Sequence, residues 1–163
     1  MNVVPDMRTL LVVWHSASGG TRALVEAAVA GASDPAIANA GMLVDIQVVE
    51  ALHAGVEEVL GADGYLLATP ENFGYMSGAL KDFFDRTYYP CLDHTRGKPY
   101  RLVVKAGGDG AGAVGAVVPL ATGLGWRSVG EPLVVREEVS DKDLDAAREL
   151  GGSLAAGLAL DLW

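Results

Sequence analysis

Seven residues near the middle of the chain, Pro70-Glu71-Asn72-Phe73-Gly74-Tyr75-Met76, join an apolar run to an amphipathic one. Two aromatics set among Pro, Asn and Gly suit a loop that holds a flat aromatic ligand. Backbone amides would meet the ring's polar edge and aromatic side chains its face. Nearer the N-terminus, His15-Ser16-Ala17-Ser18-Gly19-Gly20-Thr21 gathers three hydroxyls around two glycines just before a helical pattern. Glycines let successive backbone N–H groups turn inward, and the following helix adds its positive end, so this loop suits a phosphate. It holds no Lys and lacks the Walker spacing, which favours a monophosphate over a Mg2+-bound triphosphate. Taken alone, the same residues also make an ordinary capped helix start.

A third unusual loop, Gly107-Gly108-Asp109-Gly110-Ala111-Gly112, follows a later apolar run. Its glycines allow close backbone approach to a flat ring. Asp109 either accepts from a ligand hydroxyl or makes a turn, and the turn is the simpler role. In an open parallel α/β sheet, ligands bind beyond the carboxyl ends of the strands, where strand order reverses. Loops after strands one, three and four meet there, and these three loops are the ones with unusual composition.

The elements that must position them alternate from end to end. Apolar runs at 9–14, 43–49, 64–69, 100–106 and 131–137 read as strands, the first of them buried on both faces. Helical patterns fill 21–32, 54–60, 77–89, 111–124 and 141–160. The helix at 77–89 carries Leu80, Phe83, Phe84, Thr87 and Tyr88 on one stripe and is expected to stop at Pro90. Ser140 is a candidate N-cap, with Asp143 three residues on. Such alternation implies a parallel sheet covered on both faces. Trp14, Phe83 and Phe84 are expected in the core, and His94, Tyr88 and Tyr89 at the surface. His15 either touches a ligand or merely ends its strand, and Phe73 either stacks on the ring or anchors its loop in the core.

Composition narrows the class. A chain of 163 residues, half of them hydrophobic with mean hydropathy +0.27, fits one well-buried domain spanning 1–163. The net charge of −9 argues against a nucleic-acid surface, which needs a basic patch. A lone Cys91 excludes an intramolecular disulfide and fits a reducing compartment, and no apolar run reaches membrane-span length. A cytoplasmic protein with no membrane partner is expected. Three scattered His residues have no zinc-ligand spacing, so no metal is expected.

A phosphate grip and a flat-ring grip in one small α/β domain point to a flavin mononucleotide, and two motifs sharpen that reading. Ser16-x-Ser18-Gly19-x-Thr21 resembles the phosphate loop of the flavodoxin-like superfamily. Thr69-Pro70-x-x-Phe73-Gly74-x-Met76-Ser77-Gly78-x-Leu80-Lys81-x-Phe83-x-Asp85-Arg86 is similar to the isoalloxazine loop of its NAD(P)H-dependent FMN and quinone reductase branch. The order of elements matches over nearly the whole chain. The resemblance implies a flavodoxin-like three-layer α/β sandwich with a five-stranded parallel sheet in the order 2-1-3-4-5.

It further implies that Ser16, Ser18, Gly19, Gly20 and Thr21 hold the FMN phosphate. Pro70, Glu71, Asn72, Phe73, Gly74, Tyr75 and Met76 would line the isoalloxazine, chiefly through backbone groups. Gly107, Gly108 and Asp109 would make a third contact set, although this chain lacks the polar or aromatic residue the family often carries there. NAD(P)H is the implied electron donor, a quinone or other small molecule the acceptor, and a homodimer or homotetramer the assembly. No side chain is assigned a catalytic role, because the redox chemistry belongs to the flavin. The alternative is a flavodoxin-type electron carrier that docks on redox proteins. Acidic charge mildly favours it, but the long second motif resembles the reductase branch.

Overall fold

The computed structural model describes residues 6–163. In chain order its elements are β1 (Met7–Trp14), α1 (Gly20–Ala32), α2 (Pro35–Ala40), β2 (Leu43–Glu50), α3 (Val56–Gly61), β3 (Gly64–Asn72) and β4 (Tyr75–Met76). Then come α4 (Gly78–Cys91), β5 (Pro99–Ala106), α5 (Ala111–Gly123), β6 (Arg127–Ser128), β7 (Leu133–Arg136) and α6 (Asp141–Ala159). Apolar residues on both faces of β1 make it a central strand. Leu10 and Val12 pack with Leu24 of α1 and Leu150 and Leu154 of α6, while Leu11 and Val13 face Val59, Phe83 and Val117 of α3, α4 and α5. The result is a sheet between two helical layers, each with its own core.

The sheet runs β2-β1-β3-β5, all parallel, and its fifth position is shared by β6 and β7. This is the expected order, with the short β6 added beside the last strand. β6 pairs with Pro99 and Tyr100, and β7 with the stretch from Val103 to Ala106. The strand expected at 131–137 forms as β7, shortened at its start, where Pro132 has no N–H to give the ladder, and the two-residue β6 before it was not expected.

Three further differences have local causes. The strand expected to end at Thr69 continues to Asn72, because Glu71 and Asn72 pair antiparallel with Met76 and Tyr75 of β4. Helix α4 runs through Pro90 to Cys91: in the final turn the missing N–H costs a single ladder bond. Helix α2 was not expected, although Asp34 and Pro35 announce it. The Asp34 carboxylate accepts from the Ala36 N–H at 2.9 Å, and Pro35 takes the first turn.

Two close approaches hold the site's supports. Helices α1 and α6 cross where neither can carry a side chain. A Cβ on Gly31 would lie 1.9 Å from the Arg148 carbonyl oxygen, and one on Gly151 would lie 2.0 Å from that of Ala28. On the other face Trp126 stacks on Tyr65 with centroids 3.9 Å apart, and its indole N–H donates to Thr95 Oγ1 at 2.8 Å. Cys91 is fully buried, and burial pushes its thiol up, away from thiolate chemistry.

Candidate functional site

Because β1, β3 and β5 are parallel neighbours, the loops that follow them emerge at one edge of the sheet. Strand order reverses there: from β1 the chain passes to β2 on one side and then to β3 on the other. All three loops singled out by composition come together at this edge. Their side chains are used unequally.

The loop from His15 to Gly19 turns into α1 through Gly19, whose left-handed φ of 96° suits glycine. Ser16 Oγ folds inward and accepts from the N–H groups of Gly19 at 3.1 Å and Arg22 at 3.2 Å. It thus braces the loop as an N-cap side chain would. Ser18 is exposed at the rim. Among the described residues, the N–H groups of Gly20 and Thr21 find no acceptor. Thr21 Oγ1 is also without a partner, although the residue is only 1% exposed. A buried orphan hydroxyl costs about 1–3 kcal/mol. Here it sits beside two free N–H groups and the positive end of α1, a donor set that fits a phosphate monoester.

The second segment is a β-hairpin rather than a loop. Its two-residue turn, Phe73-Gly74, has φ of 53° and 68°, the left-handed pair of a type I′ turn. Phe73 is strained there, since a β-carbon disfavours this conformation by about 1–2 kcal/mol. It is also wholly exposed, at 107% of its reference area, which overturns the reading of Phe73 as a core anchor. Tyr75 is exposed as well, whereas Pro70 is buried and Met76 joins the core. Within 70–76, then, Phe73, Gly74 and Tyr75 are exposed and Glu71 and Asn72 half-buried.

Three contacts set the hairpin's position. Thr69 Oγ1 accepts from the Ser77 N–H at 2.9 Å, and Ser77 caps α4 by accepting from the Leu80 N–H at 3.2 Å. Glu71 Oε2 accepts from the Ala113 N–H at 3.0 Å, so its carboxylate ties β3 to the first turn of α5 rather than standing free. The Gly74 carbonyl then rests on Gly112, where a Cβ would come within 1.9 Å of it. Gly107 and Gly108 remain exposed on the adjoining loop. Asp109 makes the turn: its Oδ1 accepts from the Ala111 N–H at 3.0 Å.

Beside the first loop lies a cavity of about 390 Å3, bordered by Trp14, His15, Ser16, Arg22, Glu50 and Leu52. Trp14, expected in the core, is only partly buried because β1 ends at this rim. His15 Nδ1 is buried without a partner. Arg86 of α4 fastens the adjacent β2–α3 connection by donating to the carbonyls of Ala51 and Ala54 at 2.8 Å each. Sequence reasoning missed Leu52, which carries no local signal, and Lys105. The second did have a signal: a cation closing the apolar run Leu102-Val103-Val104 at the strand's carboxyl end, next to the glycine-rich loop. Its stem crosses Gly20, with Cγ and Cε each 3.1 Å from where a Cβ would stand. Among the described residues there is no group of three or more His, Cys, Asp or Glu placed to hold a metal, and no helix long and apolar enough to cross a membrane.

Strand order, helical layers and the position of the site define a flavodoxin-like protein. A flavodoxin from the domain Archaea superposes with a TM-score of 0.78 at 23% identity, over 92% of this chain and 98% of that one. Within that fold, the family model for NADPH-dependent FMN reductase matches residues 35–141, and the chain belongs to this family. An NAD(P)H dehydrogenase (quinone) of Syntrophus aciditrophicus is 28% identical, over 94% of this chain and 87% of the relative. A flavodoxin of Aquifex aeolicus is 26% identical, over 94% of this chain and 89% of the relative.

Proposed function

We propose that this protein binds FMN at the β1/β3 edge and passes electrons from NAD(P)H to a quinone or another small acceptor. The observation that carries the reading is the buried, unpartnered Thr21 Oγ1 at the start of α1, on the sheet edge shared with the exposed Phe73-Gly74 turn. Family membership and the flavodoxin-like fold support FMN as the cofactor. In this reading the N–H groups of Gly20 and Thr21, with the hydroxyls of Thr21 and Ser18, hold the phosphate. Ser16 keeps the loop in shape from within. The hairpin from Asn72 to Tyr75 lines the ring with backbone groups, and Phe73 and Tyr75 supply aromatic cover. The N–H groups of Phe73 and Gly74, which find no acceptor among the described residues, are free to meet the ring's polar edge. When bound, FMN supplies the redox chemistry itself. No proton-transferring side chain is required of the chain for the reductive half of the cycle.

The relative named as a quinone dehydrogenase favours a small-molecule acceptor, and a dimer or tetramer is the assembly we adopt with it. A second reading, an electron carrier, is favoured by the relative named as a flavodoxin and by the net charge of −9. One preparation separates them. We expect the apoprotein to turn yellow with FMN, and NADH or NADPH to bleach that colour anaerobically until a quinone restores it. Failure to take up FMN removes both readings, whereas uptake without bleaching by either nucleotide leaves the carrier. Light scattering on the same sample reads the assembly.

A further inference from the structure

We infer that Lys105 is the counter-charge for the ligand's phosphate and makes this edge of the sheet selective for a flat-ring phosphate monoester over the uncharged alcohol. The inference rests on the FMN reading above. Lys105 is half-buried on β5 and faces the α1–α6 layer, following Val103 on the same side of the strand. Its stem lies against Gly20, the first residue of α1, so its ammonium, one bond of about 1.5 Å beyond Cε, stands beside that helix start. The positive ends of helices repel a cation, and partial burial removes some of the water that would compensate.

Yet the ammonium has little to balance it. No carboxylate among the described residues lies within ion-pair distance of it, and its one hydrogen-bond acceptor is the Ala106 carbonyl at a long 3.4 Å. Asp143, near the start of α6, feels the lysine's field, but its carboxyl is held below the usual range first by its hydrogen bonds to Ser140. Meanwhile the free donors at the start of α1 end in an orphan hydroxyl on Thr21, a residue 1% exposed. Neutral donors and an unpaired cation at one helix start describe a site for a group of charge near −2. The loop from Ser16 to Thr21 holds no cation of its own, and the fold supplies one from a strand 84 positions further on (105 − 21).

The test titrates apoprotein with FMN and, separately, with riboflavin, following flavin fluorescence. Lys105→Met keeps the stem that packs on Gly20 and removes the charge. We expect it to weaken FMN by roughly tenfold or more, the worth of a charge-assisted hydrogen bond, and to leave riboflavin within about twofold. Lys105→Arg should retain FMN affinity, and the salt dependence of FMN binding should flatten in Lys105→Met. Equal FMN affinity in wild type and Lys105→Met overturns the inference, and so does an equal loss for FMN and riboflavin, which marks a packing role. If Lys105→Met does not fold, Lys105→Gln carries the same comparison. A wild-type apoprotein that binds neither flavin overturns the FMN reading and this inference together, whereas wild type that binds FMN beside an unaffected variant overturns only the lysine.

Discussion

Gly112→Ala is the sharpest test of how the hairpin is held. Gly112 stands in the first turn of α5, and an added Cβ would meet the Gly74 carbonyl oxygen at 1.9 Å. An ordinary carbon–oxygen contact is about 3.3 Å, so hairpin and helix must part by on the order of 1.4 Å. Neither side yields cheaply, because the obstacle is backbone at a left-handed turn and Glu71 ties the same strand to α5. Overpacking of this kind costs roughly 1–3 kcal/mol. For a chain of this size each kcal/mol lowers Tm by about 2–4 °C, so a drop of roughly 2–12 °C is expected. Gly115→Ala supplies the control. It lies one turn further along α5, is exposed, and has open space where a Cβ would go. Alanine there should gain up to about 1 kcal/mol through helix propensity. Differential scanning calorimetry of the two apoproteins reads the contrast, and riboflavin titration should show weaker binding in Gly112→Ala alone. A Tm for Gly112→Ala within a degree of wild type, or below it by no more than Gly115→Ala, would refute the packing argument.

Other residues at the site should trade stability against binding. Phe73→Asn relieves the left-handed strain and should raise the apoprotein's stability by about 1 kcal/mol while weakening both FMN and riboflavin, since the ring loses its cover. Higher stability with unchanged flavin affinity would mean that Phe73 does not meet the ring. Thr21→Val removes an unpaired buried hydroxyl at nearly constant shape, so thermal unfolding of the apoprotein should move up by about 1 kcal/mol or more as FMN affinity falls. A lower Tm with FMN binding intact contradicts that assignment. Asp143, held below the usual carboxylate range by Ser140, stabilises the fold above the unfolded value of about 3.9 and loses that effect as pH falls through its lower folded value. Asp143→Asn should therefore flatten the acid limb of stability against pH, and an unchanged limb in urea titrations below about pH 4 counts against the capping role.

How much the sequence revealed depends on whether a feature is written locally. The alternation of apolar runs and helical stripes marked the parallel strands and most helices, because burial on both faces leaves a continuous signal in strands such as β1. The capping box at Ser140 and Asp143 was equally legible, since both partners lie within one turn. The Asp34-Pro35 start of α2 carries the same kind of local signal, since cap and proline are neighbours in the chain. The two-residue β6, Arg127-Ser128, was harder to see, because a pair of polar residues carries no strand periodicity.

At the site, residue types named the three loops but not what each side chain does. Ser16 and Glu71 are expected to face a ligand, and the fold has their oxygens on backbone N–H groups of Gly19 and Ala113, while Asp109 makes the turn that was its simpler role. For Phe73 the sequence leaves both stacking on a ring and anchoring its loop in the core, and antiparallel pairing of β3 with β4 places it at an exposed turn. By itself, then, the sequence determined the alternating architecture and which loops are chemically unusual, since periodicity and glycine content are properties of neighbouring residues. Only the tertiary structure decided which donors stay free and which cation joins them. Thr21 is orphaned, and Lys105 lies across Gly20, because of how α1 packs over β5, a contact between residues 85 positions apart (105 − 20) for which no local pattern exists.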